Sequence, residues 1–181
     1  ELPGASDLAE IRDLRVILLT GATGYLGSHI LYDLLHQTEA KVYAMVRPSQ
    51  DGPSGFERIQ SVLTGYFGQD ISSLMEGRVK AVYGDLEQAD LGLSSVDRHM
   101  LEHHIDGIIH SAADVRHFGD SATFDRTNVT GTLELLKIAQ AKPGVSFHHV
   151  STMGIPEDLA NEGKWESTLE FSAFPDELNV D

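Results

Sequence analysis

Three glycines spaced three residues apart offer a binding site for an anion. Gly21, Gly24 and Gly27 follow an apolar run at residues 16–19 and precede a stretch with helical periodicity. A glycine in the turn lets the backbone bend sharply, the next lets it approach a phosphate, and the third lets the helix pack against the strand. The free N–H groups at the start of the helix then face the anion. The spacing G-x-x-G-x-x-G, in this strand–turn–helix context, favours binding of a dinucleotide's pyrophosphate, with a purely structural glycine turn as the alternative.

Basic residues after the second apolar run indicate which dinucleotide is bound. The run at residues 41–47 ends in Arg47, and no acidic residue follows before Asp51. An acidic side chain at this position bonds the ribose 2′-hydroxyl of NAD, whereas an arginine accommodates the 2′-phosphate of NADP. Arg47 therefore favours NADP, and Arg58 could provide a second contact. The alternative for both arginines is that they are ordinary exposed side chains.

Polar or small side chains follow the third, fourth and fifth apolar runs. In chain order they are Asp85, the tripeptide Ser111, Ala112 and Ala113, and Thr152. The Asp85 carboxylate could accept a hydrogen bond from an adenine amino group, or could simply begin a turn. Small residues after a strand let a cofactor lie against the backbone. Because ligands of parallel sheets bind at the carboxyl ends of the strands, we expect these residues and the glycine turn to share one site.

Five apolar runs alternate with four stretches of helical periodicity. The predicted strands cover residues 16–20, 41–47, 77–84, 105–110 and 145–150, and the predicted helices cover residues 25–37, 56–67, 96–104 and 124–140. This alternation predicts an α/β fold, a Rossmann-like doubly wound parallel sheet with helices on both faces. The predicted buried stripe of the first helix is Leu26, Ile30, Leu31, Leu34 and Leu35.

Charge and composition exclude several classes of partner. The 181 residues include 28 acidic and 13 basic side chains, a net charge of −15, and no cysteine. An acidic surface repels nucleic acid and anionic membranes, so neither is an expected partner. The polar start and the lack of a long apolar run favour a cytoplasmic protein. The histidines lack ligand spacing, so no metal site is expected.

We expect a linker at 1–13, an NADP-binding domain at 14–156 and an acidic loop region at 157–181.

Six segments together resemble the extended short-chain dehydrogenase/reductase superfamily. In chain order they are LLTGATGYLGSHIL, VYAMVRP, VYGDL, IIHSAADVRHFG, TNVTGT and HHVSTMG. They are most similar to the terminal thioester reductase domains of nonribosomal peptide and polyketide synthetases, and carboxylic acid and aminoadipate reductases carry similar domains. The resemblance implies that NADPH reduces an acyl or peptidyl thioester, delivered on the phosphopantetheine arm of a carrier domain, to an aldehyde or an alcohol.

The resemblance also implies roles for individual residues. It assigns the phosphate loop to Gly21, Thr23, Gly24, Tyr25, Leu26 and Gly27, and the 2′-phosphate site to Arg47 and Arg58. It assigns the adenine contact to Asp85 and Leu86, and the turn beneath the nicotinamide ribose to Ser111, Ala112 and Ala113. Asn128 matches the helix asparagine of the family and is counted with the cofactor-binding residues. Thr152 matches the catalytic Ser/Thr, which hydrogen-bonds the substrate oxygen as charge develops.

One family motif, Tyr-x-x-x-Lys, is missing from the sequence. In the family the tyrosine relays a proton to the substrate oxygen and the lysine lowers its pKa. Here no tyrosine follows Tyr83, and the last lysine is Lys164. We therefore expect the cofactor-binding part of a larger domain, inactive alone, with a substrate subdomain beyond residues 157–181. Two other functions remain open: an extended-type nucleotide-sugar or small-carbonyl reductase or epimerase, and a non-catalytic NADP-sensing or scaffolding module.

Overall fold

Five parallel strands form the sheet that the sequence predicts. The structure is a computed structural model that describes residues 14–68, 70–116 and 118–151. The strands are β1 Val16–Thr20, β2 Lys41–Val46, β3 Val79–Tyr83, β4 Gly107–His110 and β5 Ser146–His149. They pair in the order β3-β2-β1-β4-β5, and every pairing is parallel. This topology confirms the predicted Rossmann-like α/β fold and brings the carboxyl ends of β1, β2 and β4 side by side.

Helices connect the strands. They are α1 Tyr25–Gln37, α2 Gly55–Phe67, α3 Ser72–Met75, α4 Ser95–His104, α5 Ser121–Phe124 and α6 Gly131–Gln140, and a 3-10 turn spans Ala89–Gly92. A π-helical segment, Asp125–Thr130, joins α5 to α6. The helix predicted at 124–140 is therefore a longer helical run whose winding changes in its middle. Neither α3 nor the 3-10 turn was predicted.

Consecutive side chains of the central strand, β1, point to opposite faces of the sheet. Leu18 and Leu19 are both completely buried, and because side chains alternate along a strand they enter different cores. The Leu19 core includes Leu31 and Leu35 of α1 and Ile59 and Leu63 of α2. The Leu18 core includes Leu101 of α4 and Leu135 and Ile138 of α6. Helices thus cover both faces, which explains why β1 is apolar throughout most of its length.

The predicted stripe of α1 is correct in its middle and wrong at its start. Leu31 and Leu35 are buried, and Ile30 and Leu34 are half-buried. Leu26 was predicted to be buried but is 45% exposed. The reason is its position in the first turn of α1, at the carboxyl edge of the sheet, where its side chain meets a surface groove instead of the strands.

Arg78 anchors the opposite end of α1. Its guanidinium donates hydrogen bonds of 2.6–3.3 Å to four backbone carbonyls, those of Leu34, Leu35, Thr38 and Ala40. The last carbonyls of a helix have no partner within it, and a cation there also interacts favourably with the negative end of the helix dipole. Arg78 therefore fixes the carboxyl end of α1 beside β3, while the amino end of the helix faces the groove.

Candidate functional site

A groove of about 1030 Å³ runs along the carboxyl ends of the strands. Most of the residues predicted to bind a cofactor line it. They are Gly21, Thr23, Gly24, Tyr25, Leu26, Gly27, Arg47, Asp85, Leu86, Ser111, Ala112 and Ala113. Arg58 and Asn128 lie outside this lining, and Thr152 lies outside the described residues. The parallel topology therefore brings together segments that are far apart in the chain.

The glycine turn forms a tight backbone cradle at the start of α1. Gly21 has a φ of +80°, and a Cβ there would lie 2.9 Å from the Ala112 nitrogen. A Cβ on Gly27 would lie only 2.1 Å from the Gly21 carbonyl oxygen. Gly24 caps α1 without any side-chain hydrogen bond, and the first turn contains no acidic residue. The cradle thus fits an anion such as a pyrophosphate, since the helix N–H groups are left without side-chain partners.

The two arginines predicted to read a 2′-phosphate occupy different positions. Arg47 is exposed, follows the last residue of β2 and lines the groove. Arg58 lies on α2 and is half-buried, and its Nη2 donates a hydrogen bond to the Arg47 carbonyl oxygen. Arg58 therefore holds the backbone of Arg47 in place, and only Arg47 presents its side chain on the groove wall.

The segment after β3 forms the wall beside Arg47. The Asp85 N–H donates to the Leu91 carbonyl at 2.8 Å, and Asp85 Oδ1 accepts from the Glu87 N–H at 3.1 Å. Leu86 is 8% exposed and joins the Leu18 core. A Cβ on Gly131 would lie 2.8 Å from Leu86 Cβ, so this glycine lets the helical run pack closely behind the wall. Asp85 and Leu86 are thus held rigidly from two sides.

The floor of the groove is tied to the end of β1. The Ser111 hydroxyl donates to the Thr20 carbonyl at 2.8 Å, and the Ala112 N–H donates to Thr20 Oγ1 at 3.2 Å. Thr20 is completely buried. These bonds engage the Ser111 hydroxyl and the Ala112 N–H within the protein, so the floor presents small side chains against which a flat ligand can lie.

A buried histidine, His110, connects Thr20 at the end of β1 to Thr132 of α6. His110 is 1% exposed, and its Nδ1 lies 2.7 Å from Thr20 Oγ1 while its Nε2 lies 3.0 Å from Thr132 Oγ1. Thr132 Oγ1 donates its own proton to the Asn128 carbonyl at 2.7 Å. We therefore assign the Nε2–H tautomer, in which His110 donates to Thr132 and accepts from Thr20. Burial, with the nearby His149, lowers the pKa of His110 to about 4, so the ring is neutral at pH 7.

The π-helical segment clamps the loop that follows the floor. Asn128 Oδ1 accepts from the Asp114 N–H at 2.7 Å, and its Nδ2 donates to the Asp114 carbonyl at 2.9 Å. Thr123 and Thr127 of the same helical run line the groove. Both polar ends of Asn128 are engaged with the backbone of Asp114, so its side chain positions the loop and does not line the groove. Wide helical turns of this kind recur at functional sites.

The roles of Thr20, His110 and Thr132 were not predicted from the sequence. The only available signal was a polar residue at the end of an otherwise apolar strand, in both β1 and β4.

Among residues 14–151, apart from the two gaps, no group of three or more acidic or histidine side chains is arranged to hold a metal ion. Within the same range, no helix combines the length and the hydropathy that a membrane span requires.

Comparison with known proteins matches most of the chain to one family. A family model of NAD-binding domains, described as Male sterility protein, matches residues 19–175. A linear gramicidin synthase of Brevibacillus parabrevis is 39% identical over 136 residues, which are 75% of this chain and 3% of that protein. The L-2-aminoadipate reductase large subunit of Eremothecium gossypii is 38% identical over 140 residues, 75% of this chain and 10% of that protein. The chain thus spans only a small part of these curated relatives.

Solved structures of similar sequence share the fold. A thiolation-reductase di-domain from an archaeal nonribosomal peptide synthetase superposes with a TM-score of 0.67 at 37% identity, covering 77% of this chain and 28% of that one. The terminal R domain from the myxalamid PKS-NRPS pathway superposes with a TM-score of 0.69 at 36% identity, covering 79% of this chain and 36% of that one.

Proposed function

Because this chain belongs to the Male sterility protein family of NAD-binding domains, we propose that it binds NADPH for the reductive release of a carrier-bound acyl or peptidyl thioester. The chain is an NAD(P)-binding reductase domain homologous to the terminal reductase domains of peptide and polyketide synthetases, and is related to carboxylic acid and aminoadipate reductases. It spans 28% of the thiolation-reductase di-domain, so the activity of the whole protein is part of the proposal.

The observation that carries the proposal is the combination of the glycine cradle and Arg47 on one groove. The cradle has no room for a Cβ at Gly27, and the amino end of α1 offers N–H groups to a pyrophosphate. Arg47 lies at the end of β2. In dinucleotide-binding folds, the side chain at this position binds the 2′ group of the adenosine ribose. The Arg47 guanidinium matches the geometry and the charge of a phosphate, which supports NADPH over NADH.

The remaining groove residues would hold the rest of the cofactor. Thr23, Tyr25 and Leu26, which line the groove around the start of α1, would surround the pyrophosphate. Asp85 and Leu86 would lie against the adenine, and the floor of Ser111, Ala112 and Ala113 would lie beneath the ribose on the nicotinamide side. Asn128 acts through the backbone of Asp114, and Arg58 acts through the backbone of Arg47.

The proposed reaction is a two-electron reduction of the thioester. NADPH, when bound, supplies the hydride to the carbonyl carbon. Addition of one hydride and one proton, with cleavage of the C–S bond, gives an aldehyde and the free thiol of the carrier arm, and a second reduction would give the alcohol. We assign to Thr152 a hydrogen bond to the carbonyl oxygen, where negative charge develops. The proton donor is not assigned to any of the 181 residues.

The proposed partner is a carrier domain that presents its thioester to the cofactor bound in the groove. A solved relative is a thiolation-reductase di-domain, so in that protein the two domains occur together. We propose that residues 14–156 bind NADP, that residues 1–13 lead into this unit, and that residues 157–181 lead toward the part that binds the substrate.

The reaction is tested with the full-length protein, NADPH and an acyl group loaded on a phosphopantetheinylated carrier domain. We expect NADPH oxidation together with an aldehyde or alcohol product identified by mass spectrometry. The control is the same acyl group on free pantetheine, which should react more slowly because it lacks the docking domain. Absence of NADPH oxidation with every carrier-bound thioester would contradict the proposal, and turnover of a free nucleotide sugar or small carbonyl would favour the alternative reductase or epimerase.

The cofactor preference is tested by Arg47→Ala. Loss of a charge-assisted contact of about 1.5–3 kcal/mol should weaken NADPH binding about tenfold or more and leave NADH binding nearly unchanged. Both dissociation constants are measured by titration of nicotinamide fluorescence. Lys41→Ala is the matched control, because Lys41 is exposed at the amino end of the same strand, away from the groove. Equal weakening of both cofactors would refute the assignment of Arg47 to the 2′-phosphate.

A further inference from the structure

A second arginine lines the groove, and the proposed function does not use it. Arg47 and Arg116 are the basic residues among the described lining, together with the acidic residues Asp85, Glu87 and Asp114. The chain as a whole carries a net charge of −15. An anionic ligand in such a groove depends on the few cations present, so the arrangement of Arg116 decides whether it can contribute.

Arg116 is anchored by Asp114, and its Cζ lies 5.9 Å from the centre of the Phe124 ring, but most of its side chain is exposed. Its Nε donates to Asp114 Oδ1 at 2.9 Å and its Nη2 donates to Asp114 Oδ2, while its backbone N–H donates to Oδ1 at 3.1 Å. The Asp114 side chain is 10% exposed, whereas the Arg116 side chain is 64% exposed. Since Asn128 clamps the backbone of Asp114, the carboxylate is a fixed support. A guanidinium has five N–H donors, so several remain available on the exposed side.

Arg47 and Arg116 act on the same carboxylate. The pKa of the Asp114 carboxyl lies below its ordinary value, chiefly because of the Arg116 hydrogen bond, and Arg47 lowers it further through its charge. The pKa of Arg116 is raised, chiefly by Asp114, and Glu87 on the wall beside Asp85 also contributes. Both arginines therefore line the groove that Asp114 also lines, and both act electrostatically on its carboxylate. A phosphate bound to Arg47 in this groove would be attracted by Arg116 as well.

We propose that Arg116 is a second ligand of the 2′-phosphate, which it binds together with Arg47 while Asp114 holds its guanidinium in orientation. The inference rests on the proposed binding of NADPH in this groove. Two guanidinium groups can share the oxygens of one phosphate, because each presents parallel N–H donors that match its geometry. The ribose 2′-hydroxyl of NADH offers no charge to either arginine, so Arg116 distinguishes the two cofactors.

The test compares the dissociation constants of NADPH and NADH for Arg116→Ala and Arg116→Lys in the full-length protein. We expect Arg116→Ala to weaken NADPH binding about tenfold with less than about a threefold change for NADH, and Arg116→Lys to show an intermediate loss. Arg15→Ala is the matched control, because it removes the same charge at an exposed position just before the amino end of β1, away from the groove. It should leave both constants unchanged.

Three outcomes would overturn the inference. They are an unchanged NADPH constant in Arg116→Ala, equal weakening of NADPH and NADH, and an equal effect of Arg15→Ala. Arg47→Ala, measured in parallel, keeps the two proposals apart. If Arg47→Ala removes the NADPH preference and Arg116→Ala does not, only the role of Arg116 fails. If the unmodified protein does not prefer NADPH, the proposed cofactor itself fails.

Discussion

The buried His110 makes the stability of this domain depend on pH. In the folded chain its pKa is lowered from 6.5 to about 4, by burial and then by the charge of His149. Between pH 6.5 and pH 4 the unfolded chain binds a proton at this histidine that the folded chain does not bind. The contribution of His110 to the free energy of unfolding is therefore fully present above pH 6.5 and is lost as the pH falls toward 4. The full difference of about 2.5 pKa units corresponds to about 3 kcal/mol. Of this, about 2 kcal/mol is lost between about pH 7.5 and about pH 5.

The measurement is the free energy of unfolding by urea at several pH values, for the unmodified chain and for His110→Gln. Glutamine is neutral at every pH, so the variant should be less stable at about pH 7.5, because one hydrogen bond is lost, but should lose about 2 kcal/mol less on acidification. The exposed histidines contribute equally to both proteins and cancel in the difference. His149→Gln is the control: it removes the minor cause and should reduce the pH dependence only slightly. Parallel curves for the unmodified chain and His110→Gln would refute the assignment of His110 as a buried neutral residue.

Two further substitutions test the glycine turn and the anchor of α1. Gly27→Ala should abolish cofactor binding and lower the melting temperature, because its Cβ would lie 2.1 Å from the Gly21 carbonyl oxygen. Gly65→Ala, in the last turn of α2 with open space around it, should instead stabilise the protein by up to about 1 kcal/mol. Arg78→Ala should cost about 2–3 kcal/mol in urea unfolding, because the last carbonyls of α1 lose a charged donor. Arg78→Lys should recover part of that loss, and an unchanged stability of Arg78→Ala would show that water replaces these bonds.

Local chemistry made the phosphate turn and its surroundings predictable. Gly21, Gly24 and Gly27 are constrained by backbone geometry within one turn, and Arg47 is placed by the end of a single strand. The strands themselves follow from apolar runs, and their alternation with helices determines which chain ends meet. For this reason twelve of the predicted cofactor residues line one groove. Their contacts with a cofactor remain predictions.

Features that depend on contacts between distant segments could not be predicted. The bond between Thr20 and His110 joins residues 90 positions apart and requires the register in which these two residues pair across β1 and β4. The position of Arg58 depends on the orientation of α2, which the periodicity of that helix does not give. The π-helical segment has no signal in the apolar pattern, although it decides where Asn128 points. Leu26 was mispredicted because periodicity does not show where a helix extends beyond the sheet.

Helix α1 has one neutralised end and one open end. At its carboxyl end Arg78 offsets the partial negative charge, whereas at its amino end no side chain caps the turn and no acidic residue offsets the partial positive charge. The helix therefore leaves an unbalanced charge of about +0.5 facing the groove, inside a protein whose net charge is −15. At physiological ionic strength such a charge is felt over only about 8 Å. An anion is thus attracted by this end of α1 only once it lies close to the glycine turn, so the helix helps to retain an anionic ligand in the groove and does not draw it from a distance.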